Sequence, residues 1–206
     1  SDIQGLTKEE TREYFTRYYA PNNAVIVAVG DFDSDYMMKL VEKYFGGIPA
    51  QPPLPIVETV EPEQRGERRV YVEYEANPNL AIAYHKPEIT HTDQYALEVV
   101  ESLLSGGRTA RLYQSLIEEK RFAVMARVYS GGSRYPDLFL IFVTPRYPHT
   151  AEEVEAAIYE ELEKLKKEPP TEWELQKIKN QLEADFIRSL ESTAGLADEI
   201  GEYEAI

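Results

Sequence analysis

Residues 105–132 read SGGRTARLYQSLIEEKRFAVMARVYSGG, and the way this stretch divides decides the fold. Two glycines followed by Arg108 suggest a phosphate cradle. Such a cradle needs Gly, four residues, then Gly-Lys-Ser/Thr just after a strand, so that backbone amides and an ammonium converge on one anion. Here the glycines follow a helix-like stretch, and no Lys-Ser/Thr pair comes after them. The pair therefore reads as a helix-to-helix turn, with Gly106 or Gly107 in the left-handed conformation that ends the first helix. A helix over 109–119 then packs Leu112, Tyr113, Leu116 and Ile117, and a strand over 123–130 follows.

Working outward, GGSRYPD at 131–137 is a turn that returns the chain through a second strand, 138–143, to make a hairpin. On the other side, Thr92 is expected to cap a helix over 93–104 whose Ala96, Leu97, Val100, Leu103 and Leu104 form a wide core-facing stripe. A strand at 80–84 precedes it, joined through the NPN turn at 77–79 to a strand at 70–75. There Val70, Val72 and Tyr74 alternate with Tyr71, Glu73 and Glu75, the pattern of a sheet with one buried face.

The N-terminal part carries its own signals. Thr7 and Glu10 form a capping box for a helix over 7–19, which Pro21 ends. AVIVAV at 24–29 is a continuous, largely β-branched run, expected to be a strand buried on both faces. A helix over 34–45 places Met37, Leu40, Val41 and Tyr44 on one side, and Gly46 and Gly47 can close it. Between Ile48 and Arg65 five prolines mark an extended, semi-rigid linker. The expected division is thus 1–50, a linker at 51–65, and 66–206.

Two further helices carry capping boxes at Thr150/Glu153 and Thr171/Glu174, separated by Pro169 and Pro170. Val154, Ile158, Leu162 and Leu165 line the first; Leu175, Ile178, Leu182 and Phe186 line the second. STAGLADEIGEYEAI at 192–206 begins another helix with no stop signal, so the chain is expected to be a cut piece. Strands in pairs and helices in pairs argue α+β, a mostly antiparallel sheet flanked by helices.

At 206 residues with 43% hydrophobic and 29% charged side chains, the composition is that of an ordinary globular protein. No apolar run approaches a membrane span. Without cysteine there is no disulfide, thiolate metal site or thiol nucleophile. The net charge is −15, of which −10 falls in 151–206, where sixteen acids face six bases. Such a surface repels phosphate backbones, which argues against nucleic-acid binding.

Chemistry-bearing residues are sparse. His85 and His91, in HKPEITH, are six apart across a proline and fit no compact metal spacing; His149 stands alone. The HxxEH pair of a zinc-peptidase helix is absent from every register, as is the GxSxG elbow of a serine hydrolase. Trp173, just inside a helix start, is expected to be a packing residue. The residues assign no catalytic, metal-binding or substrate-binding side chain.

LTKEETREYFTRYYAPNNAVIVAVGDFD (6–33) together with GGRTARLYQSLIEEKRFAVMARVYSGG (106–132) resembles the insulinase and pitrilysin family of zinc peptidases, peptidase family M16. The resemblance covers essentially the whole chain. It implies a LuxS/MPP-like metallohydrolase half-domain, one of several repeated α/β half-domains that close around a peptide in an internal chamber. The HxxEH helix and its zinc would lie upstream of residue 1, so that 1–50 ends the zinc-bearing half-domain and 66–206 makes up most of a non-metal half-domain. No cofactor is expected in this segment itself. Many non-metal halves carry an arginine and, seven residues on, a tyrosine that reach the substrate; here these positions hold Ile117 and Val124. The resemblance therefore implies chamber wall and scaffold, with peptide substrate handled by the parent and the arginine and tyrosine supplied by another half, a second M16-like subunit or a homodimer partner. A catalytically silent assembly subunit and a peptide-binding module using the sheet edge are the alternatives. Compartment stays open, with bacterial cytoplasm or periplasm implied by resemblance alone.

Overall fold

A computed structural model describes residues 2–55 and 60–205, so the middle of the Pro-rich linker, 56–59, lies outside the described residues. The elements run α1 (Asp2–Gly5), α2 (Lys8–Tyr18), α3 (Ser34–Phe45), β1 (Leu80–Lys86), α4 (Asp93–Ser105), β2 (Ala123–Tyr129), β3 (Asp137–Pro145), α5 (Ala151–Lys167), α6 (Glu172–Ser189) and α7 (Thr193–Ala205). They group into two compact units, Ser1–Val70 with Phe186–Ile206, and Tyr71–Asp185.

The unit Tyr71–Asp185 is built on one antiparallel sheet in the order β1-β3-β2. The hairpin expected from GGSRYPD forms β2 and β3, and β1 adds to the far side of β3 in a register that sets Ile82 opposite Ile141 and Leu80 opposite Val143. β3 is thus the central strand, hydrogen-bonded on both sides. Beneath it the fully buried Leu104, Leu112, Leu116, Val154 and Ile158 meet Ile141 and Val143. Each such side chain contributes about 1.5–3 kcal/mol by leaving water. The α+β class, with a small antiparallel sheet and helices packed against it, is as expected.

Local signals placed the helices well. Thr150 accepts from the amide of Glu153 while Glu153 accepts from the amide of Thr150, and Thr171 and Glu174 exchange the same pair of bonds. Gly107 takes φ +90°, the left-handed turn expected of the glycine pair. The helix beyond it departs from expectation: Tyr113–Glu119 is π-helical, a wider turn that accommodates one extra residue per coil. Thr92 does not cap α4, because its backbone is itself helical; the Asp93 amide donates to His91 Nδ1 instead. Ala96 is exposed, and the stripe on α4 runs through Leu97, Val100, Leu103 and Leu104.

Two expected strands are not strands. Residues 70–75 have no pairing partner among the described residues, and Val70, Tyr71, Val72 and Tyr74 are all exposed, so their alternation buries neither face. In the other unit, 24–29 is likewise unpaired, with Val25 and Ile26 each 52% exposed rather than buried on both sides. Apolar patterning makes a strand competent to pair, but a sheet also needs a second backbone in register.

Within that unit, α2 keeps its Thr7/Glu10 box and Asp33 caps α3 through the Tyr36 amide. Asn22 and Gln51 exchange two bonds, Asn22 Nδ2 to Gln51 O at 3.0 Å and the Gln51 amide to Asn22 Oδ1 at 2.9 Å, pinning the start of the linker beside the turn after α2. On α3, Met37, Leu40 and Val41 are half-buried while Tyr44 is exposed. Phe186, expected to continue the α6 stripe, is also exposed.

Candidate functional site

The two faces of the sheet differ sharply. Side chains alternate along a strand, so the register assigns each position to a face. Ile82, Phe139, Ile141, Val143 and Val128 point to the buried side, against α4, α5 and the π-helical segment. Among the described residues of this unit no helix covers the opposite face, where Phe142 is 41% and Tyr129 56% exposed. Its middle row is Leu138, Leu140 and Phe142 from β3. Ala81, Ala83 and His85 of β1 stand on one side of that row, and Met125, Arg127 and Tyr129 of β2 on the other.

Most polar groups on the covered side are satisfied internally, although Ser130 Oγ is buried without a hydrogen-bond partner among the described residues. Lys86, 3% exposed, donates from Nζ to Gln94 Oε1 at 3.0 Å and to the Ser130 carbonyl at 3.4 Å. The Ser130 amide donates to Glu101 Oε2 at 2.9 Å, and burial pushes the Glu101 carboxyl up. These bonds tie the ends of β1 and β2 to α4. In the π-helical segment Ser115 Oγ donates to Glu161 Oε1 at 2.9 Å, and Lys164 meets the same carboxylate at 2.7 Å. The Arg111 guanidinium grips both oxygens of Glu174 at 3.0 Å and holds its carboxyl down at about 2. The bonds of Lys86 and Ser130 fix α4 to the sheet, and those of Glu161 and Glu174 fix helical segments to one another.

The sequence-designated residues are dispersed. His85 lies on the bare face, His91 sits in the turn before α4, and His149 lies 3.2 Å from Glu153 with its ring against Phe122. Among the described residues no group of three or more His, Asp or Glu side chains is placed to hold a metal ion. This donor set does not fit a zinc ion, which the resemblance implies for the parent, upstream of residue 1, and not for this segment. Trp173 is not a packing residue: it is 67% exposed, with Lys177 Nζ 5.9 Å from its ring centroid. Its position in the first turn of α6 turns it away from the Ile178 stripe. Ile117 packs against the core, whereas Val124, thrown outward by a register irregularity between Ala123 and Met125, is 54% exposed. Neither can donate a hydrogen bond from its side chain. Depressions along α2 are open and lined by that helix's own side chains, among them Thr7, Thr11 and Phe15. The bare sheet face was not legible from sequence, because it depends on which strand pairs with which and in what register.

The family profile described as the peptidase M16 inactive domain matches residues 5–182. A zinc protease named PqqE from Helicobacter pylori is 32% identical over 98% of this chain and 46% of its own length. An uncharacterized zinc protease, YmxG from Bacillus subtilis, is 30% identical over 99% of this chain and 49% of its own. The crystal structure of a protease from Helicobacter pylori superposes with a TM-score of 0.92 at 32% identity, over 99% of this chain and 50% of that one. The chain thus spans about half the length of the relatives it matches. It belongs to the peptidase M16 family, in the part of that family described as the inactive domain.

Proposed function

We propose that this chain is a non-catalytic portion of a longer zinc-dependent peptidase, and that the bare face of its sheet forms part of the wall of a chamber in which a peptide is cut by zinc bound elsewhere. The carrying observation is the sheet itself: one face is closed by three helical segments, while the other presents Phe142, Leu138 and Tyr129 to solvent. Exposed apolar sheet of this kind marks a surface that meets something. Residues 1–50 are read as the end of the zinc-bearing half-domain, 51–65 as the linker and 66–206 as most of the non-metal half-domain. The unpaired 24–29 and 70–75 then take their strand partners from the remainder of the parent. Zinc chemistry, activation of water for attack on a peptide carbonyl, belongs to that remainder.

Ile117 and Val124 favour one refinement. With no donor at either position, the groups that hold the scissile peptide would come from another half or a second subunit, and a parent that also lacked HxxEH would be a silent assembly subunit. The test is a peptidase assay with an unstructured peptide. The 206-residue chain is expected to give no chelator-sensitive turnover, and the full-length parent is expected to give it. Robust zinc-dependent cleavage by the 206-residue chain overturns the reading, and a full-length parent inert with zinc selects the silent-subunit form.

A further inference from the structure

The charge pattern of the bare face goes further than the chamber-wall reading on which it rests. The whole chain carries 37 acidic residues, yet β1, β2 and β3 contain one, Asp137, which the register sets opposite Lys86 on the covered side. Among the described residues, none of the three strands places a carboxylate on the exposed side of the sheet. It has one permanent cation, Arg127, which is exposed and has no hydrogen-bond or ion-pair partner among the described residues. Its distinction among the arginines of the chain is its surroundings, for it stands in an apolar field, directly across from Phe142.

We infer that this face receives extended peptide segments in which an acidic side chain is flanked by apolar ones, with Arg127 as the residue that reads the charge. Three features support that occupant. Same-side side chains of an extended peptide recur about every 6.6 Å, the spacing of Leu138, Leu140 and Phe142 along β3, so apolar groups of the peptide can lie along that row. Ala81 and Ala83 are small and exposed, leaving a shallow trough beside the row in which a main chain can approach. The guanidinium offers a planar fork of donors that matches a carboxylate in two places, and apolar neighbours that exclude water strengthen that pairing. A basic peptide would place its charge beside Arg127 with no acid within the face to offset it. The chain's overall negative charge opposes acidic ligands at long range, so the preference belongs to the contact itself and persists at physiological salt.

The experiment measures binding of ten-residue apolar peptides with a central Glu, Gln or Lys to the 206-residue chain at 0.15 M salt, by fluorescence anisotropy, with photocrosslinking to locate the site. The Glu peptide is expected to bind about tenfold more tightly than the Lys peptide, a difference of about 1.4 kcal/mol. Arg127→Gln should erase the preference and Arg127→Glu should invert it, both with unchanged circular dichroism, as befits an exposed position. Crosslinks in β1–β3 with equal affinity for the three peptides overturn the role of Arg127 and leave the chamber-wall reading standing. Crosslinks that fall outside the three strands overturn both. A concentration-dependent dimer abolished by Phe142→Asp, with no peptide binding, assigns the face to a second copy of the chain and overturns the inference.

Discussion

Segments 138–143, LFLIFV, and 24–29, AVIVAV, are nearly interchangeable as strings of strand-forming residues, yet the structure treats them oppositely. The first is the central strand of a sheet, with Ile141 and Val143 out of contact with water; the second has no strand partner among the described residues, and half the surface of Val25 and Ile26 is open. The difference lies in their neighbours. β3 has β2 delivered to it by a short turn and β1 by a longer path, whereas none of the described residues presents a backbone to 24–29. Strand propensity measures how well a side chain fits a pleated surface, and it acts only once that surface exists.

The sharpest test of this contrast is a pair of truncations. Ile141→Ala removes a fully buried side chain from the central strand and should cost about 2–5 kcal/mol in denaturant unfolding monitored by circular dichroism. Ile26→Ala in the same chain should change stability by less than about 0.5 kcal/mol. Comparable losses from both would show that 24–29 is buried in solution and would break the comparison.

Between those limits lie the contacts that join and terminate the helices. Arg111→Met should cost about 2 kcal/mol at pH 6 by freeing Glu174 from its bidentate grip. The pH dependence has a definite sign. The Glu174 carboxyl sits at about 2 instead of 4.5, so its contribution is complete above pH 4.5 and is lost as pH falls toward 2. The gap between Arg111→Met and the parent sequence should therefore narrow from pH 5 to pH 2.5; a constant gap would mean that Arg111 acts through packing alone. Thr150→Ala should cost about 1 kcal/mol through the lost cap on α5. Gly107→Ala should cost a similar or slightly smaller amount, since a side chain at φ +90° is strained even though nothing lies within 4 Å of the added carbon.

The same distinction between local and distant partners explains which parts of the sequence could be read. The three capping boxes, the Val154–Ile158 stripe and the turn at Gly107 are decided within a few residues, and each is where its pattern placed it. The β2–β3 hairpin was legible for the same reason. Thr92 failed as a cap because His91 beside it supplied the acceptor, and the π-helical turn at Tyr113–Glu119 was hidden because its residues suit an ordinary helix equally well. Trp173 misled because size alone suggested burial. The bare face and the isolation of Arg127 depend on the β1-β3-β2 order, which pairs residues about sixty positions apart, and no periodicity encodes that. Chemistry offered few handles in the sequence, where neither HxxEH nor GxSxG occurs, and His85, His91 and His149 lie apart in the fold.

The long excursion between β1 and β3 also has a consequence during synthesis. Leu80–Lys86 leaves the ribosome about fifty residues before Asp137–Pro145, so at 5–20 residues per second the first strand waits roughly 3–10 s for the backbone it pairs with. In that interval α4 and the π-helical segment can form locally, but neither the β2–β3 hairpin nor the β1–β3 pairing can, and Ile82 is held out of the core by timing rather than by affinity. A nascent chain stalled before residue 137 should therefore attract hydrophobic-surface chaperones, and one extended past residue 145 should release them.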